Sequence, residues 1–226
     1  MTARVAIVVG AGGELGRSTA QKLAAGGFTV VGVDRSAEGL KELADGIRTE
    51  LADATDPAVA KDVVDKIASE VGPPEVLVNA LGVYHLGDAL DATPADLRLM
   101  MDVNMGAALW LTQAVAPYMR DLGTGVIVHV AARPGLEPTA GMATYGVSKA
   151  ALVHLTRVLD LELRPLGIRV NAIAPQLLDT AKNRPYLTPE ALAHAVSPEA
   201  AADVITFLVS DTAAPVSGAI VPTYGA

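Results

Sequence analysis

Val5-Ala6-Ile7-Val8-Val9-Gly10-Ala11-Gly12-Gly13-Glu14-Leu15-Gly16-Arg17 is the stretch on which the fold turns. Five apolar residues, most of them β-branched, read as a buried strand, and the glycines after them let the backbone reverse sharply. A helical pattern starts near Leu15 and runs to Ala25, where Gly26-Gly27 supplies a stop. Glycines at a strand-to-helix turn allow close approach of a diphosphate, and the unpaired N–H groups of the helix's first turn point at that anion. Gly16 lets the helix lie close on the strand. The spacing also suits a plain tight turn. Its place between a buried strand and a helix favours a nucleotide site, with Gly10, Gly12, Gly13, Leu15 and Gly16 as contacts.

The next apolar run, 29–33, ends at Asp34. A carboxylate there accepts hydrogen bonds from both ribose hydroxyls of an adenosine and repels a 2′-phosphate, so it points to NAD rather than NADP. Arg35 works against that preference by offsetting the charge or stacking on adenine. The alternative is that Asp34 only caps the following turn.

Working outward, further short apolar runs at 48–52, 76–79, 125–130, 168–174 and 219–223 alternate with helical patterns at 57–71, 94–120, 144–164 and 198–209. Runs apolar on both faces read as central strands of a parallel sheet covered by helices. The expected fold is α/β: a single-domain, Rossmann-type, doubly wound parallel sheet of about seven strands over residues 1–226. The segment 176–197, with Pro185 and Pro189, interrupts the alternation after a strand, where the ligand crevice of such sheets lies, and is expected to be a substrate loop.

Hydrophobic residues make up 51% and charged residues 19% of the 226, which argues against disorder. No apolar run reaches the ~18–20 residues of a membrane span, and the first apolar stretch is too short for a signal-peptide core. A net charge of −8 disfavours nucleic-acid binding. The absence of cysteine excludes disulfides, thiolate metal sites and cysteine nucleophiles, and it suits a cytoplasmic protein. No pair of histidines or carboxylates has metal spacing.

The order of motifs resembles the short-chain dehydrogenase/reductase family across nearly the whole chain. The glycine turn matches, with Glu14 where many members carry glycine. Asp53, followed by Ala54, resembles the acidic residue that contacts adenine. Asn79-Ala80-Leu81-Gly82 resembles the family's Asn-Asn-Ala-Gly segment, and Asn104 its catalytic-helix asparagine. Tyr145-Gly146-Val147-Ser148-Lys149 is similar to the Tyr-x-x-x-Lys motif. Asn171-Ala172-Ile173-Ala174-Pro175 followed by Thr180 resembles the nicotinamide-contacting segment, with Gln176 where glycine is usual. The resemblance implies an NAD(H)-dependent oxidoreductase acting on a small organic substrate of carbonyl/alcohol or quinonoid type. Tyr145, Lys149 and Asn104 would be catalytic. Cofactor contacts would extend to Asp53, Ala54, Asn79, Ala80, Tyr145, Lys149, Pro175 and Thr180. Relatives form dimers or tetramers through their two long helices, so a homodimer or homotetramer is expected.

The Tyr–Lys pair also stands on physics: four residues apart on a helix, the two share a face. An ammonium there, like a positively charged nicotinamide, is expected to lower the phenol from its usual pKa of about 10, enabling proton transfer near neutrality. One piece is missing. The family places a serine thirteen positions before the tyrosine, and this chain has Ala132 there, preceded by Ala131. Two accounts compete. Either the substrate needs no hydroxyl donor, as the local resemblance of 132–149 to dihydropteridine reductases suggests, or the chain is an NAD-binding sensor or partner domain with little dehydrogenase activity.

Among other residues, His129 reads as a hydrogen-bonded core histidine and Trp110 as core or interface. Arg133 reads as paired with a surface carboxylate rather than as an anion binder. His85 is placed equally by the pocket or outside it, His154 reads as structural, and His194 falls in the substrate loop.

Overall fold

The computed structural model describes residues 3–225; Met1, Thr2 and Ala226, the ends of the domain expected over 1–226, lie outside the described residues. The strands are β1 (Val5–Val9), β2 (Thr29–Asp34), β3 (Arg48–Leu51), β4 (Pro74–Asn79), β5 (Gly125–Val130), β6 (Ile168–Pro175) and β7 (Ile220–Thr223). The helices are α1 (Glu14–Ala25), α2 (Ala37–Leu40), α3 (Pro57–Glu70), α4 (Pro94–Met101), α5 (Ala107–Leu122), α6 (Ala143–Leu163), α7 (Pro189–Ala193) and α8 (Pro198–Val209). All seven strands pair in parallel in the order β3-β2-β1-β4-β5-β6-β7, giving a single doubly wound α/β domain.

Side-chain alternation divides the core. Ala6, Val8, Val126 and Val128 face α1 and α8, packing with Leu23, Ile205 and Leu208. Ile7, Leu77 and Ile127 face the opposite layer and meet Ile67 of α3 and Leu111 and Val115 of α5. The chain leaves β1 toward β2 on one side and returns to β4 on the other. That reversal opens a crevice at the carboxyl ends of β1 and β4, where such sheets bind ligands.

Three expectations need correction. The runs at 48–52 and 219–223, taken as central strands, form the two sheet edges; with a neighbour on one side only, β3 leaves Leu51 62% exposed. The single helix expected over 94–120 is two helices joined by a π-helical turn, Asp102–Gly106, which carries Asn104. Such turns concentrate at functional sites. The short α2 was missed, because Ser36, which caps it by accepting from Gly39 N, sits in a stretch with no apolar period.

Candidate active site

The glycine turn is built by necessity rather than by preference at two positions. Gly10 has φ of 84°, and a Cβ there would sit 2.9 Å from the Ala80 carbonyl carbon. A Cβ on Gly16 would collide with the Gly10 carbonyl, so the close crossing of α1 over β1 needs glycine. α1 begins at Gly13 with no side-chain cap, whereas Asp56, Thr93 and Ser197 cap α3, α4 and α8. Its first-turn N–H groups therefore have no side-chain acceptor, which suits a diphosphate.

A cleft of about 190 Å³ runs from this turn. Gly10, Gly13, Asp34, Asp53, Ala54 and Ala80 line it, with Arg35 at the adenosine end as the stacking reading had it and Gly82 from the Asn79–Gly82 motif; Thr55, Val83 and Val103 join them without a signal in the sequence. Gly12, Leu15, Gly16, Asn79, Tyr145, Lys149, Pro175 and Thr180 do not line it. Gly16 serves helix packing. Asn79 turns inward, its Oδ1 accepting from Leu81 N at 3.1 Å and fixing the loop after β4. Pro175 ends β6, and Thr180 Oγ1 accepts from Asn183 N.

At the outer end Asp34 takes one N–H on each oxygen, from Gly12 (2.9 Å) and from Ser36 (2.8 Å). It caps its turn, as the alternative reading had it, while still facing the cleft. Asp53 accepts from the Thr55 hydroxyl and N–H, and Arg35 stands 3.8 Å away; Thr55's hydroxyl first, and Arg35 in lesser part, hold the Asp53 carboxyl below its usual range.

At the inner end a Cβ on Gly82 would lie 3.3 Å from Lys149 Nζ and 3.5 Å from Asn104 Oδ1. Gly82 thus stands between the cleft and the side chains of Lys149 and Asn104, and Val103 of the π turn lines the cleft itself. Asn104 is held on three sides: Oδ1 accepts from Val83 N (2.9 Å), and Nδ2 donates to Val83 O (2.9 Å) and Ser148 Oγ (2.9 Å). Ser148 in turn donates to the Tyr145 carbonyl, so it spends its hydroxyl inside α6 and leaves none for a substrate.

Lys149, 3% exposed, donates to the Val130 carbonyl at 2.7 Å. Burial pushes it down to about 7. The Tyr145 phenol, most of it buried, is pushed up to about 12 by that burial and further by Tyr84, whose ring lies edge-on at 6.4 Å. This corrects the expectation that Lys149 lowers the phenol: protein burial moves both groups toward their neutral forms. The positive charge needed to reverse this for Tyr145 has to arrive with the bound groups.

Just past the end of β5, Ala131 and Ala132 are buried and carry no hydroxyl. The segment 176–197 folds back to the glycine turn. Ala181 N donates to Glu14 Oε1 at 2.8 Å, so the departure at Glu14 ties this segment to the glycine turn. Asp179 N donates to Val196 O, and Arg184 pairs with Asp179 at 2.6 Å. Lys182 places its Nζ 5.5 Å from the Tyr84 ring centre.

His129 overturns its expectation. It is fully buried, and among the described residues neither ring nitrogen has a hydrogen-bond partner. Burial, with the Lys149 charge in second place, pushes it down to about 3, so it is neutral. His85 Nδ1 lies 3.8 Å from Asp96, and Arg133 pairs with Glu137 at 2.8 Å as expected. His194 lines a separate cavity of about 420 Å³ with Glu190 and Tyr224. Trp110 packs partly buried against the α3–α5 layer. Among the described residues no three His, Cys, Asp or Glu converge as a metal site, and no helix is long and apolar enough to cross a membrane.

A family profile described as short chain dehydrogenase matches residues 4–191. The chain is 33% identical over 235 residues to a galactitol 2-dehydrogenase of Rhizobium johnstonii, covering 96% of this chain and 91% of that one. Among solved structures, an NAD+-bound xylitol dehydrogenase is similar with a TM-score of 0.92 and 26% identity, covering 99% of this chain and 98% of that one. An L-sorbose reductase from Gluconobacter frateurii, complexed with NADPH and L-sorbose, has a TM-score of 0.90 and 27% identity, covering 99% and 96%.

Proposed function

The chain belongs to the short-chain dehydrogenase family and is an oxidoreductase of alcohols and carbonyls, and from that premise we propose that it works with NAD(H), with Tyr145 as the acid/base. The observation that carries this reading is Gly82, which lines the cleft and lies directly beside Lys149 Nζ and Asn104 Oδ1.

The uncapped start of α1 would hold the diphosphate, and Asp34 and Asp53 the adenosine end. Asp34 favours NAD by charge, since a 2′-phosphate would meet its carboxylate. When bound, the nicotinamide nucleotide supplies or takes up the hydride. Tyr145 Oη then gives a proton to the carbonyl oxygen during reduction and takes it back during oxidation. Lys149, buried beside Gly82, would hold the nicotinamide ribose, and only in its protonated form would it favour the phenolate. Asn104 holds the loop at Val83 in register with Ser148 and completes the proton path. The segment 176–197 is the substrate loop. Exposed Val147 and Leu161 on α6 suit a homodimer or homotetramer, and a cytoplasmic location accords with the chain's lack of cysteine.

Tyr145→Phe should lower carbonyl-dependent NADH oxidation by about 10²–10⁴-fold with the fold retained. An unchanged rate with a turned-over substrate refutes the role of Tyr145. The bare Ala131-Ala132 pair favours a second reading, a nucleotide-binding sensor; NADH binding with no turnover on ketones, quinones and quinonoid dihydropterin would establish it.

A further inference from the structure

We propose that Lys182 is the anion-recognition residue of the substrate pocket, and that the substrate is an oxo acid or hydroxy acid whose carboxylate sits a few bonds from the reacting carbon. The proposal rests on the hydride-transfer reading above and deepens it.

Lys182 reaches the pocket through an aromatic relay. Its Nζ lies 5.5 Å from the centre of the Tyr84 ring, and Tyr84 meets Tyr145 edge-on with ring centres 6.4 Å apart. The ammonium and the acid/base ring therefore share Tyr84 as a common neighbour. Its backbone is fixed from both flanks. Ala181 N donates to Glu14 Oε1 at 2.8 Å, Asn183 N donates to Thr180 O at 2.9 Å, and Asn183 Nδ2 donates to Leu178 O at 2.9 Å.

Charge pairing singles it out. The other cations near the mouth are neutralised: Arg133 by Glu137 at 2.8 Å and Arg184 by Asp179 at 2.6 Å. Lys182 has no carboxylate within ion-pair distance among the described residues, although the chain carries 25 acidic side chains against 17 basic ones. Its partner is the face of a half-exposed ring. A charge-assisted hydrogen bond to a carboxylate is stronger than a cation–π contact at an exposed ring, so an arriving acid draws the ammonium off Tyr84 and toward itself. With the Tyr84 ring between them, Tyr145 and Lys182 suit a substrate whose carbonyl and carboxylate are several bonds apart. Ala131 and Ala132 bring no hydroxyl to orient it, so a charged anchor supplies orientation.

The test is calorimetric titration of 4-oxopentanoate and of its methyl ester onto the NAD+-saturated protein, wild type and Lys182→Met, with Lys182→Arg as the conservative variant. The wild type should prefer acid over ester by about tenfold or more. Lys182→Met should abolish that preference, and Lys182→Arg should retain most of it. Equal affinity for acid and ester, undetectable acid binding at millimolar concentration, or a preference that survives Lys182→Met overturns the proposal. So does a loss of NAD+ affinity in Lys182→Met with the acid–ester ratio intact, since the lysine would then serve the cofactor. These readouts need no turnover, so a failure of the hydride-transfer reading shows separately as no NADH oxidation with either compound. Should NAD+ itself not bind, the same titration on the protein alone decides the role of Lys182.

Discussion

Ala132 and His129 lie on one strand and its extension, and both change what the site can do. Ala132 is 7% exposed at the end of β5 and offers a methyl group where a donor to the substrate oxygen is usual. Ala132→Ser should raise ketone reduction by about tenfold or more if the absent donor limits the rate. An unchanged kcat/KM shows instead that the natural substrate is oriented by other contacts. His129 is buried neutral, with its folded pKa at about 3 against 6.5 in the open chain. Between those values the unfolded chain binds the extra proton, so stability falls as pH drops from 6.5 toward 3. His129→Leu should remove up to one proton's worth of that slope, about 1.4 kcal/mol per pH unit, in urea denaturation across that window. A slope identical to wild type would mean the imidazole finds a partner and titrates normally.

At the scale of elements, the crossing of α1 over β1 is the tightest junction in the site. Because a Cβ on Gly16 meets backbone at Gly10, nothing flexible yields. Gly16→Ala should cost about 1–3 kcal/mol of stability and weaken NADH binding, measured by denaturation and fluorescence titration. Wild-type affinity and stability together would show that α1 shifts freely. The glycines that form this junction were legible because strand, turn and helix fall in one continuous run. The π turn was not. The segment 94–120 has one unbroken helical period, and only the hydrogen bonds from Asn104 to Val83, 21 residues away, reveal the turn's purpose. The edge position of β3 was legible in its charge, since Arg48 and Glu50 in a four-residue strand suit a strand with a neighbour on one side only.

For the whole molecule, cofactor affinity and fold stability are linked, because the cleft joins the glycine turn to β2, β4 and the π turn. A ligand present at a hundred times its dissociation constant adds about 2.7 kcal/mol to the folded state. In a chain of this size that raises Tm by roughly 5–11 °C. NADH should give that shift at lower concentration than NADPH. The reverse order would overturn the reading of Asp34.

The parallel α/β fold, the glycine turn between β1 and α1 and the Tyr145–Lys149 pair could be read from the chain alone, because each depends on residues near one another in it. Hydrophobic period, glycine spacing and helical repeat are local quantities. Only the tertiary structure decided the protonation tendencies and the mouth of the pocket. It buried Tyr145 and Lys149 deeply enough to push each toward neutrality, stripped His129 of partners, and set Glu14 against Ala181 and Lys182 against Tyr84. Desolvation and contact across distant segments depend on what the rest of the chain packs around a group, and no local pattern records that.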